Sequence, residues 1–184
     1  WGSQVVGTDL SGGCKAVAGG SSHSLGLKAD GSIVAWGYNY SGLTDVPAPN
    51  TGFIGIAAGG SDSLGLKADG SIVAWGYNAY GQTDVPAPNT GFIAVAGGLY
   101  HSLGLKADGS IVAWGRNDDG QTDVPATNTG FIAVAAGVSH SLGLKADGSI
   151  VAWGYNGYGQ TDVPAPNFGF IAVAGGLYHS LGLK

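Results

Sequence analysis

The stretch Gly91–Ala126 reads GFIAVAGGLYHSLGLKADGSIVAWGRNDDGQTDVPA, and its spacing of apolar runs and turn residues decides the fold. Phe92 to Ala96, His101 to Lys106 and Ser110 to Trp114 are short runs rich in Ile, Val, Leu or Ala, each bounded by Gly, Pro, Asn or Asp. Runs of that length with those boundaries predict strands. Asp108-Gly109, between the second and third runs, is a strong hairpin signal because both residues tolerate positive φ. A fourth, weaker strand is expected over Gln121 to Val124, and Pro125, which lacks an amide donor, suits the outer edge of a sheet. No segment carries a helical period of useful length, so helix content should be close to zero.

The same stretch recurs along the chain. Trp36, Trp75, Trp114 and Trp153 stand 39 residues apart, and Ser-Leu-Gly-Leu-Lys begins at Ser24, Ser63, Ser102, Ser141 and Ser180, again every 39. Trp1 precedes Trp36 by only 35, so the first unit is four residues short. Four short antiparallel strands repeated every roughly 40 residues predict an all-β protein, a β-propeller of five short four-stranded blades. An open β-solenoid is the alternative, but its rungs are usually shorter and do not need three tight hairpin turns. Residues 1–184 are read as a single propeller domain with repeat units anchored on Trp1, Trp36, Trp75, Trp114 and Trp153. The residues matching Ala-Asp-Gly-Ser-Ile-Val-Ala are missing between Lys184 and Trp1, which places both termini in one hairpin. Ring closure is therefore expected through N- and C-terminal strands that share one blade, with His179 to Lys184 completing the blade begun by Trp1.

Composition agrees with a packed repeat. Of 184 residues, 36 are Gly and 7 are Pro, charged residues make up 10%, and 44% is hydrophobic. Disordered chains combine high charge with few apolar residues, so the glycine belongs to turns and close packing and not to disorder. The net charge of -5 comes from 12 acidic residues, all Asp, and seven basic ones without a basic run, which disfavours nucleic-acid binding. No apolar stretch approaches the roughly 18 to 20 residues of a membrane helix, and Trp1 to Leu10 lacks the basic start and apolar middle of a signal peptide. Cys14 is the only cysteine, which excludes an internal disulfide and every multi-cysteine metal motif.

The VAWG, GQ, VPA, AGG and HSLGLK elements of Gly91–Ala126 resemble the regulator of chromosome condensation repeat. The resemblance is closest to the compact bacterial form found in β-lactamase inhibitory protein II, and it covers essentially the whole chain. It implies a propeller, a binding role in place of catalysis, a secreted or cell-surface bacterial location, and a secreted enzyme as one conceivable partner. Five units stand where that inhibitor has seven, which alters ring diameter and the curvature of any binding face. No inserted β-wedge of the kind used by nucleotide-exchange members is present, so the resemblance does not extend to that role.

Strand alternation assigns the loops to two faces of a disc. With FIAVA running up, the Gly97-Gly98-Leu99-Tyr100 turn and the loop after Trp114 lie on top, and Asp108-Gly109 lies at the bottom. All eight tyrosines then fall on the top face: Tyr38, Tyr40, Tyr77, Tyr80, Tyr155 and Tyr158 in the loop after Trp, and Tyr100 and Tyr178 in the Gly-rich turn. The third unit instead carries Arg116, Asp118 and Asp119, a polar sector of the same face. Tyr and Arg bury much area at low entropic cost and keep a polar tip, the composition of interfaces. The competing reading is that these rings only cover neighbouring blade edges.

Other residues carry less. His23, His101, His140 and His179 share one repeat position, with Asp62 in the fifth copy, and are read as strand-start residues bonded to the neighbouring Gly-rich turn, not as a metal ring. Asp45, Asp84, Asp123 and Asp162 are read as turn chemistry, the tryptophans as packing between blades, and Cys14 as a small core or inter-blade residue. Asn39-Tyr40-Ser41 fits a glycosylation sequon. No catalytic constellation is singled out, since repeated Ser and His copies are what a scaffold produces; no cofactor or metal is expected. The resulting expectation is a non-enzymatic module that binds a protein partner through the tyrosine-rich face. The alternatives are a carbohydrate-binding lectin with one site per blade, or a duplicated or engineered repeat scaffold without a ligand.

Overall fold

The computed structural model describes residues 13–184. Each repeat folds as a three-stranded antiparallel sheet: β1 (Cys14–Gly19), β2 (His23–Lys28) and β3 (Ile33–Gly37); then β4 (Phe53–Ala58), β5 (Asp62–Lys67) and β6 (Ile72–Gly76). β7 (Phe92–Gly97), β8 (His101–Lys106) and β9 (Ile111–Gly115) form the third sheet, and β10 (Phe131–Ala136), β11 (His140–Lys145) and β12 (Ile150–Gly154) the fourth. β13 (Ala172–Gly175) and β14 (Ser180–Leu183) make a two-stranded fifth. Helical structure among the described residues is one short 3-10 turn, Tyr40–Gly42.

The Ala-Asp-Gly-Ser turns close as their residues require. Asp108 Oδ1 accepts from both Ser110 N and Ser110 Oγ, and Gly109 takes φ +80, which a side chain would strain. The first strand of each three-stranded sheet carries a bulge, after Cys14 in the first and after a phenylalanine in the other three, so that Phe92 faces Lys106 while Ala94 faces Leu105.

The expected four-stranded blade is corrected to three strands. Gln121 to Val124 spends its donors locally: Asp123 N bonds Gly120 O, Val124 N bonds Thr122 O, and Thr122 N bonds Asn117 Oδ1. Backbone consumed by turns cannot also form a ladder. The edge of β9 is met instead by one side chain, Asn128, whose Oδ1 accepts from Ile111 N while its Nδ2 donates to Ile111 O, both at 2.7 Å. Asn50, Asn89 and Asn167 do the same for Ile33, Ile72 and Ile150.

The core lies between sheets. Leu103, Leu105 and Ile111 of one repeat pack with Phe131 and Trp153 of the next, joined by Val124 and Val134; the same set recurs at the two preceding boundaries, and without the tryptophan at the last. Burying each such side chain contributes roughly 1.5–3 kcal/mol. The Gly of Ser-Leu-Gly-Leu-Lys makes room for the aromatic ring: a Cβ on Gly104 would stand 2.5 Å from Phe92.

Polar bonds tie each boundary as well. The carbonyl of Gln121 accepts from Ser141 Oγ at 2.8 Å and from Trp153 Nε1 at 3.0 Å, both in the next repeat. His101 Nε2 meets the same Ser141 Oγ at 3.0 Å. Since that hydroxyl proton points at Gln121, His101 is the donor and carries its proton on Nε2. The tryptophans are thus packing residues, as expected, and the histidines bond the Gly-rich turn, as expected, through their carbonyls, with Gly98 N donating to His101 O at 2.7 Å; the side chains of His23, His101 and His140 add a serine of the adjacent repeat.

The Gly-rich turns from Gly19–Ser21 to Gly175–Leu177 line one shared cavity, so all five described units converge on a common axis. The two ends of this arc are uncovered among the described residues. The expected closure through Trp1 falls on residues 1–12, which lie outside them.

Candidate functional site

The antiparallel pairing brings the Gly-rich turns and the post-Trp loops to one end of every sheet, because Gly97 faces Ser102 and His101 faces Gly115. All eight tyrosines stand there. Tyr38 and Tyr40 stack with centroids 6.1 Å apart. Tyr77 and Tyr80 of the second repeat meet Tyr100 of the third at 6.0 and 4.9 Å, and Tyr158 of the fourth meets Tyr155 at 6.1 Å and Tyr178 of the fifth at 4.9 Å. These are groups of two, three and three, not one equivalent site per repeat.

The predicted polar sector is divided by the structure. Arg116 stacks its guanidinium over Tyr80 and Tyr100, at 5.5 and 6.0 Å, and its Nε pairs with Asp118 Oδ2 at 2.7 Å. Asp119 instead lines a cleft of about 250 Å3 with Tyr155, Tyr158, Tyr178 and Leu177. A second cleft, about 230 Å3, lies between Tyr38, Tyr40, Tyr77 and Tyr100, with Ser22 and Ser61 also in its lining. An aromatic wall with hydroxyl tips and one stacked cation can bury apolar area while offering hydrogen bonds and a cation at its edge.

The loops that carry these rings are held by their own polar groups. Asn78 Nδ2 donates to Asp84 Oδ1 and Asn78 Oδ1 accepts from Thr83 N, while Gln82 Oε1 accepts from Tyr80 N. The aspartates after Thr are therefore turn residues, as expected, and the sequon residue Asn39 is engaged in the same way with Asp45 and Thr44. In the first repeat Leu43 replaces the glutamine, the loop takes its 3-10 turn, and Ser41 is left at φ 71.

Reading the sequence missed one exposed feature. Ile54, Ile93 and Ile132 are exposed at one position of β4, β7 and β10, toward the end opposite the tyrosines, and Ile171 is exposed just before β13. In the sequence they look like core residues; the bulges in β4, β7 and β10 turn the first three out, and a bulge has no signature in the run itself.

The His–Ser pairs are not nucleophile–base pairs, because the serine proton goes to a backbone carbonyl and the imidazole donates. Among the described residues, no group of three or more His, Cys, Asp or Glu side chains is placed to hold a metal ion.

The repeated sheets and their shared axis together define a class, the repeat propellers. The model of the regulator of chromosome condensation (RCC1) repeat matches residues 14–43, 53–82, 92–121 and 131–160, and the chain belongs to this family. No curated protein matches it. Among solved structures it is similar to Prp20p of Saccharomyces cerevisiae, a protein with binding properties to Gsp1p and histones. That match has 21% identity and a TM-score of 0.83, covering 97% of this chain and 58% of that one. It is also similar to the ectodomain of the receptor kinase CR4 of Physcomitrella patens, with 27% identity and a TM-score of 0.74, over 93% of this chain and 47% of that one. The chain spans about half the length of these structures. A second structure shows Prp20 with Kap60 bound to it.

Proposed function

We propose that residues 1–184 act as one protein-binding module whose contact surface is Tyr38, Tyr40, Tyr77, Tyr80, Tyr100, Arg116, Asp118, Asp119, Tyr155, Tyr158 and Tyr178. One observation carries the reading: every tyrosine of the chain stands at one end of the sheets, and six of the eight are exposed, five of them lining two clefts. Exposed aromatic rings pre-set by neighbouring rings lose little entropy on docking, which is what anchor residues need. Tyr77 and Tyr100 also cover the boundary between two repeats, so structural and binding uses of these rings coexist.

The identity of the partner follows from resemblance alone: a secreted bacterial enzyme of the class A β-lactamase type, met outside the cell. Titrating the chain against such enzymes tests that version, and absence of inhibition at micromolar concentration removes it. The broader reading is tested by capturing proteins from bacterial secretions on the immobilised chain. Affinities are then compared for the wild type and a Y80S/Y100S/Y158S variant. A loss of at least tenfold with an unchanged melting temperature supports the tyrosine face; equal affinity overturns it.

A further inference from the structure

We propose that the cleft at Asp119 holds the guanidinium of an arginine side chain supplied by the protein partner. One boundary earlier, the chain completes the same chemistry from within. There Arg116 lies over Tyr80 and Tyr100 at 5.5 and 6.0 Å, and its Nε pairs with Asp118 Oδ2 at 2.7 Å. A planar cation is favoured both by the faces of tyrosine rings and by a carboxylate at its edge.

One repeat further on, the groups are exchanged. Tyr155 holds the repeat position of Arg116, and Asp119 and Ser139 hold those of Tyr80 and Tyr100. This boundary carries a ring and a carboxylate but no cation. A serine in place of a ring leaves a space of about 250 Å3, which Tyr158 and Tyr178 also line. Asp119 is half-buried, and its carboxylate has no ion pair among the described residues, since the Nε of Arg116 is engaged with Asp118.

The cleft is set before anything docks. Gln121 Oε1 accepts from Asp119 N and Gln160 Oε1 from Tyr158 N, both at 2.9 Å. Gly157 leaves room for the Tyr155 ring, which a Cβ at that position would meet. Groups held in place in this way lose little entropy on binding.

The space belongs to the repeat and not to the end of the chain. Tyr77, Ser41, Ser61 and Tyr100 stand two repeats before Tyr155, Asp119, Ser139 and Tyr178, and they line the cleft of about 230 Å3, beyond which further repeats follow. That earlier cleft has the hydroxyl of Ser41 where the later one has the charge of Asp119, so a cation distinguishes the two. A basic side chain also complements a chain of net charge -5.

This inference rests on the tyrosine face being a contact surface. It is tested with N-acetyl-arginine amide and its uncharged counterpart, N-acetyl-citrulline amide, titrated into the full chain while NMR follows isotope-labelled tyrosine rings. The arginine amide is expected to shift the Tyr155 and Tyr158 signals to saturation and to leave those of Tyr38 and Tyr40 in place. Asp119→Asn is expected to weaken that binding about fivefold with an unchanged melting temperature, because the carboxylate has no ion pair to lose. No saturable shift, an equal response to the citrulline amide, equal shifts at both clefts, or an unchanged affinity in D119N each overturns the inference. A captured partner whose affinity falls in Y80S/Y100S/Y158S, while the arginine amide shifts nothing, removes this inference and leaves the protein-binding reading standing. An arginine amide that binds at Asp119, while the triple variant keeps full affinity for the partner, supports the guanidinium site and overturns the tyrosine face as the partner's contact surface.

Discussion

Asp62 Oδ2 lies 3.1 Å from Ser102 Oγ, across a repeat boundary at which the equivalent positions pair histidine with serine. Ser102 Oγ has two acceptors at 3.1 Å, Asp62 Oδ2 and Gln82 O, and shares its one proton between them. Where the other boundaries set an imidazole Nε2 against the serine, this one sets a carboxyl oxygen that accepts from it. Burial pushes the Asp62 carboxyl up to about 8, against a smaller opposing effect of the Ser102 hydrogen bond.

A carboxyl whose pKa is raised on folding stabilises the fold fully below its unfolded value near 4, and that contribution is lost as pH rises to about 8. His101 works in the opposite direction: burial, then the neighbouring His140, lower it from 6.5 to about 4, so its contribution is lost as pH falls through that range. Between pH 6.5 and 8 only the aspartate slope remains of these two. Urea unfolding should show stability falling there by up to roughly 1 kcal/mol per pH unit in the wild type and staying flat in Asp62→Asn.

Ser141→Ala removes the acceptor of a buried imidazole N–H and one of two donors to Gln121 O. An unmet buried donor costs about 1–3 kcal/mol. The urea midpoint should fall accordingly, while the secondary-structure spectrum of the folded state stays unchanged because Trp153 still bonds Gln121 O.

Asn128→Ala should destabilise by about 1–2 kcal/mol, since it removes both bonds that satisfy the exposed edge at Ile111. Asn128→Asp at neutral pH should be no better than alanine. Its carboxylate can accept from Ile111 N but cannot donate to Ile111 O, so a melting temperature like that of the wild type would refute the edge-pairing role.

Ser41→Gly should stabilise the first repeat by roughly 0.5–1 kcal/mol, because Ser41 is the non-glycine residue with positive φ among the described residues. Thermal unfolding checks this, and a variant less stable than the wild type would show that the Ser41 side chain compensates for its backbone.

The period of 39, the strand runs and the Asp-Gly turns were all legible in the chain, because each depends on residues a few positions apart. The assignment of every tyrosine to one end was legible for the same reason, since strand alternation alone determines it. The fourth strand was not, because whether Gln121 to Val124 forms a ladder depends on where its donors go, and Asn117 and Gly120 take them first. Nor was the division of Arg116 from Asp119, which depends on ring positions in adjacent repeats.

The sequence by itself determined a repeating three-run β unit and a face rich in tyrosine, both products of local periodicity. Tertiary structure alone decided that His101 answers to Ser141 forty residues away and that burial pushes Asp62 toward its neutral form. Each of those depends on what the neighbouring repeat brings to the boundary, and burial there, not spacing along the chain, sets the chemistry of the group.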